Sequence, residues 1–162
     1  MPGICSVDTS PLLYLYRINQ LTLLQHLFDQ VYVADAVVDE LSQGRNQGTK
    51  IPDLVDYPWI DVQHVKLRSI SESMDALGPG ERAAMILGLD GQAEWVILDD
   101  LEARNEATKQ GLKVIGTVGL LASAKNKSLI HAISPLLIQL EESGMWLSAE
   151  LKRNILELAD ER

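Results

Sequence analysis

Short apolar runs of strand length, each followed by a stretch with helical spacing, constrain the fold of this chain more than any other feature. Ile4 to Val7, Val31 to Val33, Trp95 to Leu98 and Lys113 to Ile115 are too short for buried helices and carry few charges, as strands covered on both faces do. Trp59 to Val65 alternates apolar and polar residues and reads as a half-exposed strand. Leu12, Leu13, Leu15 and Tyr16, then Leu21, Leu23, Leu24 and Leu27, recur at helical spacing and predict two helices broken near Asn19-Gln20. Thr9, Ser10 and Pro11 supply a cap hydroxyl and an N1 proline for the first of them. Further helices are expected around Val37 to Leu41, Ala83 to Leu87, Leu101 to Gln110, Leu120 to Ala124, Leu129 to Glu142 and Ser148 to Leu158. Strands alternating with helices at this spacing call for a mostly parallel sheet with helices on both faces, an α/β/α arrangement of three layers.

Between the second helix-bearing unit and Trp59 the chain turns polar. Ser42 to Pro58, with Gln43-Gly44-Arg45-Asn46-Gln47-Gly48-Thr49-Lys50 inside it, is expected to form a mobile loop. The chain has 162 residues, 46% of them hydrophobic, which suits one globular domain able to bury a core without staples. One cysteine, Cys5, leaves no internal disulfide and no cysteine-rich zinc site. No apolar run is long enough to span a bilayer and no signal-peptide series opens the chain, so the expected location is the cytoplasm, away from membranes. Fourteen Lys and Arg against twenty-three Asp and Glu give a net charge of −9, the opposite of a simple nucleic-acid binder's basic footprint.

That acidity is not spread evenly. Asp8 and the pair Asp99-Asp100 directly follow apolar runs, Glu40 lies beside the apolar stripe of its helix, and Glu81 falls in a first helical turn after Gly78-Pro79-Gly80. Residues at the C-terminal ends of parallel strands converge on one crevice. Several carboxylates meeting there would repel one another by roughly several kcal/mol at an intermediate dielectric. A hard divalent cation relieves that repulsion, because magnesium and manganese favour oxygen ligands and leave positions for water and phosphate. Bland alternatives stand beside each assignment. Asp8 would serve as a helix cap, Glu40 as a solvated charge and Glu81 as a partner for the helix dipole, and one of Asp99 and Asp100 as the cap of the Leu101 helix.

The runs Val7-Asp8-Thr9-Ser10-Pro11-Leu12, Val37-Val38-Asp39-Glu40-Leu41, Leu77-Gly78-Pro79-Gly80-Glu81, Leu98-Asp99-Asp100 with Arg104 and Ala107, and Ile115-Gly116-Thr117-Val118-Gly119-Leu120-Leu121 resemble the PIN-domain superfamily, and within it a VapC-like prokaryotic branch. The motifs keep their order over nearly the whole chain. The resemblance implies a PIN-like domain over residues 1–162, with 128–162 a C-terminal helical extension packed on it. It also implies a Mg2+- or Mn2+-dependent endoribonuclease, often the toxin of a type II toxin–antitoxin pair. Carried across motif by motif, Asp8, Glu40, Glu81 and Asp100 are similar to the family's catalytic acids, and Asp8, Glu81, Asp99 and Asp100 to its metal-binding set. The sequence departs from many VapC-type toxins in having Glu81 as the third acid and the pair Asp99-Asp100 at the fourth, which leaves open which of the pair faces the site. Ser10, Thr117, Arg104 and Lys125 are the candidate substrate contacts. Expected partners are RNA, a second copy of the chain in a homodimer, and an antitoxin with a basic tail.

With so few cations, RNA affinity would rest on the metal and on a local rim such as Arg45 and Lys50. Gly116-Thr117-Val118-Gly119 lacks the lysine of a P-loop and reads as a tight turn before a helix. His26, His64 and His131 lack paired metal spacing and read as ordinary histidines; Trp59, Trp95 and Trp146 read as core or interface anchors. A non-catalytic PIN-like scaffold that binds RNA or protein is the alternative function, and a DNA-directed nuclease would use the same chemistry.

Overall fold

The computed structural model describes residues 3–46 and 50–161. Its strands are β1 (Ile4–Val7), β2 (Gln30–Ala34), β3 (Ile60–Gln63), β4 (Trp95–Ile97) and β5 (Lys113–Ile115). All pair in parallel, in the order β3-β2-β1-β4-β5. The helices are α1 (Thr9–Arg17), α2 (Leu23–Leu27), α3 (Asp35–Asn46), α4 (Glu72–Asp75), α5 (Pro79–Leu89), α6 (Leu101–Lys109), α7 (Thr117–Asn126), α8 (Ser134–Glu142) and α9 (Ala149–Leu158). The result is the expected α/β sandwich with a parallel central sheet. Strand β1 is central and fully buried from Cys5 to Val7, which is why its sequence shows no polar alternation. Leu12, Leu15, Leu24, Met85, Ile97, Leu120 and Leu121 fill the layers on either side.

The break between α1 and α2 falls at Asn19, which adopts φ 58°, a left-handed conformation that asparagine tolerates better than most residues. Helix α1 starts earlier than its proline suggested: Asp8 is the N-cap residue and Thr9 the first helical one. Pro11 is still accommodated, because first-turn N–H groups have no helical acceptor and the missing donor is not needed.

Helix α3 corrects the expected loop. It runs through Ser42, Gly44 and Arg45 to Asn46, so the polar composition marked a solvated last turn and not an irregular segment. Ile51 packs into the space a Cβ would fill at Gly44, and the Arg45 guanidinium donates to Pro52 O (2.9 Å) and Ser42 Oγ (3.1 Å). Arg45 is thereby a brace for the returning chain, and Lys50 sits over the Tyr16 ring at 5.8 Å. The remainder of the expected loop at 47–49 lies outside the described residues.

The predicted helix from Leu129 begins instead at Ser134. Ser128 is left-handed (φ 59°) and the preceding helix has already ended. What fixes the start of α8 is remote in sequence: Glu161 accepts from the N–H groups of Ile133 (2.8 Å) and Ser134 (3.1 Å) and from Lys125 Nζ (2.9 Å). Burial works against the Glu161 charge, but these donors outweigh it and hold its pKa down to about 2. Beyond α9, the chain thus latches onto α7 and α8. No helix among the described residues is long and apolar enough to cross a membrane.

Candidate functional site

In the order β3-β2-β1-β4-β5 the chain builds outward from β1 in one direction and then from β4 in the other. The seam between β1 and β4 is the switch point where open parallel sheets form a crevice at their C-terminal edge. Val7 pairs with Ile97 there, and Asp8 N–H donates to Ile97 O at 3.1 Å. Asp8 therefore leaves the end of β1 beside the end of β4. Leu98 N–H continues the ladder to Ile115 O, so Asp99 emerges one residue beyond it on the other side of the crevice.

Asp8 is only 4% exposed. It occupies the N-cap position of α1 without making the side-chain cap bond, and its Oδ1 is buried with no hydrogen-bond partner. The capping role therefore does not account for it. Burial is the main cause that pushes its pKa up to about 7; the Thr9 N–H partly offsets this, and Glu81, Glu40 and Asp99 add repulsion in that order. Asp8 is thus the point at which the other acids' fields meet.

Each neighbouring acid is held by its own tether. Glu40 accepts from Thr9 Oγ1 (2.8 Å) and from Gly80 N–H (2.7 Å), which binds α3 to the starts of α1 and α5. A Cβ at Gly80 would collide with the Glu40 carboxylate, so this close approach requires glycine. Glu81 accepts from Gly78 N–H at 3.2 Å in the first turn of α5. Its pKa is raised, chiefly by burial and further by Asp100, Glu40 and Glu102. Asp99 accepts from Thr117 N–H (2.8 Å) and Thr117 Oγ1 (2.6 Å) at the start of α7. Its pKa is also raised by burial, against the Thr117 bonds and the Arg104 charge. Asp100 is exposed and caps α6 through Ala103 N–H at 3.0 Å. Of the pair left open by sequence, Asp100 is the cap and Asp99 the one whose charge Asp8 feels, although Asp100 still acts on Glu81.

The substrate candidates divide in the same way. Ser10 and Arg104 line a cleft of about 520 Å³ that also includes Asp99, Asp100 and Gly116. Thr117 is fully buried and spends its hydroxyl and N–H on Asp99, so it orients an acid and presents no free donor to a substrate. Lys125 lies eight residues further along α7, roughly 12 Å away by helical rise, and is bound to Ala159 O and Glu161; it is part of the latch and not of the crevice. Sequence reasoning missed Thr9 and Gly80 as carboxylate tethers. Their only signal was adjacency to Asp8 and Glu81. Of the core and interface alternatives for Trp146 the core one falls, since it is 84% exposed on the rim of the cleft, while Trp59 stacks edge-on with Tyr57 and Trp95 lies under Lys113. The reason is local: Met145 and Leu147 turn inward, and in extended chain the residue between them points out.

The donor set suits a hard divalent cation: carboxylate oxygens only, one of them buried and unpartnered. Among the described residues no three His, Cys, Asp or Glu side chains close on one point as a ready-made cage. Magnesium does not need one, since it usually keeps several waters and takes one or two carboxylates. Asp8, with Glu81, Glu40 and Asp99 acting on it, is the carboxylate around which such a set could form.

A family model, DUF3368, described as a PIN domain, matches residues 4–161. Neither a curated protein nor a solved structure matches the chain. PIN domains are generally nucleases that typically use divalent metals, and the parallel sheet with acids at its switch point is consistent with that build. The chain belongs to the PIN-domain family.

Proposed function

We propose that this PIN-domain protein is a magnesium- or manganese-dependent endoribonuclease that hydrolyses RNA phosphodiester bonds and acts as the VapC-like toxin of a type II toxin–antitoxin pair. The observation that carries this reading is the Asp8 carboxylate, buried and unpartnered at the sheet's switch point with Glu81, Glu40 and Asp99 around it. Asp8 and Asp99 would hold the metal, which when bound supplies activation of a water and stabilisation of the leaving oxygen. Glu40, fixed by Thr9 and Gly80, keeps the third side of the crevice negative. Glu81, whose pKa is raised by burial and by the neighbouring acids, adds its carboxyl to the crevice from the first turn of α5. Arg104, beside Asp99 and exposed on the same cleft, would take a phosphate. The net charge of −9 would draw an antitoxin with a basic tail, and a homodimer would bring two such crevices together.

One observation favours a second reading. The described acids do not form a three-ligand cage, as a non-catalytic scaffold binding RNA or protein would not require one. Cleavage of a mixed, labelled RNA pool with manganese separates the two, comparing the protein with Asp8→Asn and Glu81→Gln. Metal-dependent cutting that disappears in both variants is the expected result. Absence of cutting together with absence of manganese-dependent thermal stabilisation would leave the scaffold.

A further inference from the structure

Trp146 presents most of its indole to water although it belongs to a segment whose neighbours, Met145 and Leu147, pack inward. An exposed tryptophan is costly in apolar surface, and this one is not on a remote face. It lies on the rim of the same cleft of about 520 Å³ that contains Asp99, Asp100 and Arg104. The lining of that cleft combines Arg104 and the two aspartates with apolar Trp146, Leu151 and Ile155. A ligand that satisfies both kinds of residue carries an anionic group and a flat apolar group. A nucleotide unit has that form.

We propose that Trp146 is the base-stacking platform of this site, receiving an unpaired base of single-stranded RNA next to the phosphate that Arg104 and the acids engage. This rests on the nuclease reading and adds to it a base-contacting residue. Stacking on an exposed indole requires a base that has left its own stack, which single strands and loops offer and a regular duplex does not. It also answers the scarcity of cations: base stacking contributes affinity without positive charge. The C-terminal latch is part of the device, since Glu161 ties the end of α9 to the start of α8 and to Lys125, holding the helices on either side of the Trp146 turn.

The test is the affinity of a short fluorescein-labelled single-stranded oligoribonucleotide, read by anisotropy in manganese, with Glu81→Gln present in every protein compared so that the RNA is bound and not cut. Adding Trp146→Ala should weaken binding by about 5- to 140-fold, the range for loss of one stacked base. Trp146→Phe should recover most of it, and a duplex of the same sequence should show little difference between the proteins. Melting curves establish that each variant is folded. Equal single-strand affinity with and without the indole overturns the proposal. So does equal affinity accompanied by a change in sedimentation, which would assign Trp146 to a contact between copies. If no protein binds RNA, the proposal falls as well, and manganese-dependent cutting by the unsubstituted chain then decides whether the nuclease reading falls with it.

Discussion

At the scale of single residues, Asp8 sets the terms. Its pKa is raised to about 7, so the folded state binds a proton more tightly than the unfolded chain does. The sign is therefore opposite to that of a salt-bridged aspartate: the metal-free protein loses stability as pH rises from the unfolded value near 4 to about 7, by an amount on the order of a few kcal/mol. Urea melts in EDTA at pH 5 and pH 8 should show this loss, and Asp8→Asn should remove most of it while abolishing metal-dependent cutting. A variant that is less stable than the parent at pH 8 would contradict the account. Manganese should in turn stabilise the parent at pH 8 and leave Asp8→Asn unchanged, because binding to the folded state alone shifts unfolding by mass action. Gly80→Ala makes the complementary point. The added methyl meets only the flexible end of Glu40, so melting should shift little, yet the carboxylate must leave the Gly80 N–H. Cutting should fall at least about tenfold, the loss that a misplaced group of this kind commonly causes.

At the scale of elements, the acids are positioned by the beginnings of helices. Asp8, Asp99 and Asp100 follow strands and enter α1, the Thr117 turn and α6; Glu81 opens α5. Thr117→Val tests one such joint. It keeps the shape of a fully buried side chain but leaves Asp99 Oδ2 without its hydroxyl donor, and a charge-assisted bond of this sort is worth about 1.5–3 kcal/mol. Denaturant titration should show a loss of that size at neutral pH, shrinking when Asp99 is protonated. Strand identities and the break at Asn19 could be read from apolar runs and turn residues alone. The end of α3 and the start of α8 could not. They depend on Ile51, Pro52 and Glu161, which reach these helices from elsewhere in the chain.

At the scale of the whole molecule, the latch formed by Glu161 joins the last residues to α7 and α8. Because its pKa is depressed to about 2, the stabilisation is complete above the unfolded value near 4.5 and is lost as pH falls toward 2. Glu161→Gln should therefore lower the melting temperature at pH 7, and the gap from the parent should close in acid. Limited proteolysis of the same variant at pH 7 should cut first between α8 and α9, where loss of the latch frees the chain. A gap independent of pH would show that packing of α9, and not the carboxylate, holds the end in place.

The sequence by itself determined the alternation of strands and helices, hence a parallel sheet, and it placed acids at strand ends, because burial on both faces and helix initiation leave signatures within a few residues. Tertiary structure decided which of those acids share a field, what tethers Glu40 and Asp99, and why Lys125 belongs to a latch. Those outcomes depend on hydrogen bonds and close approaches between residues 18 to 40 positions apart, and no local pattern of residues encodes which partner a carboxylate will find across that distance.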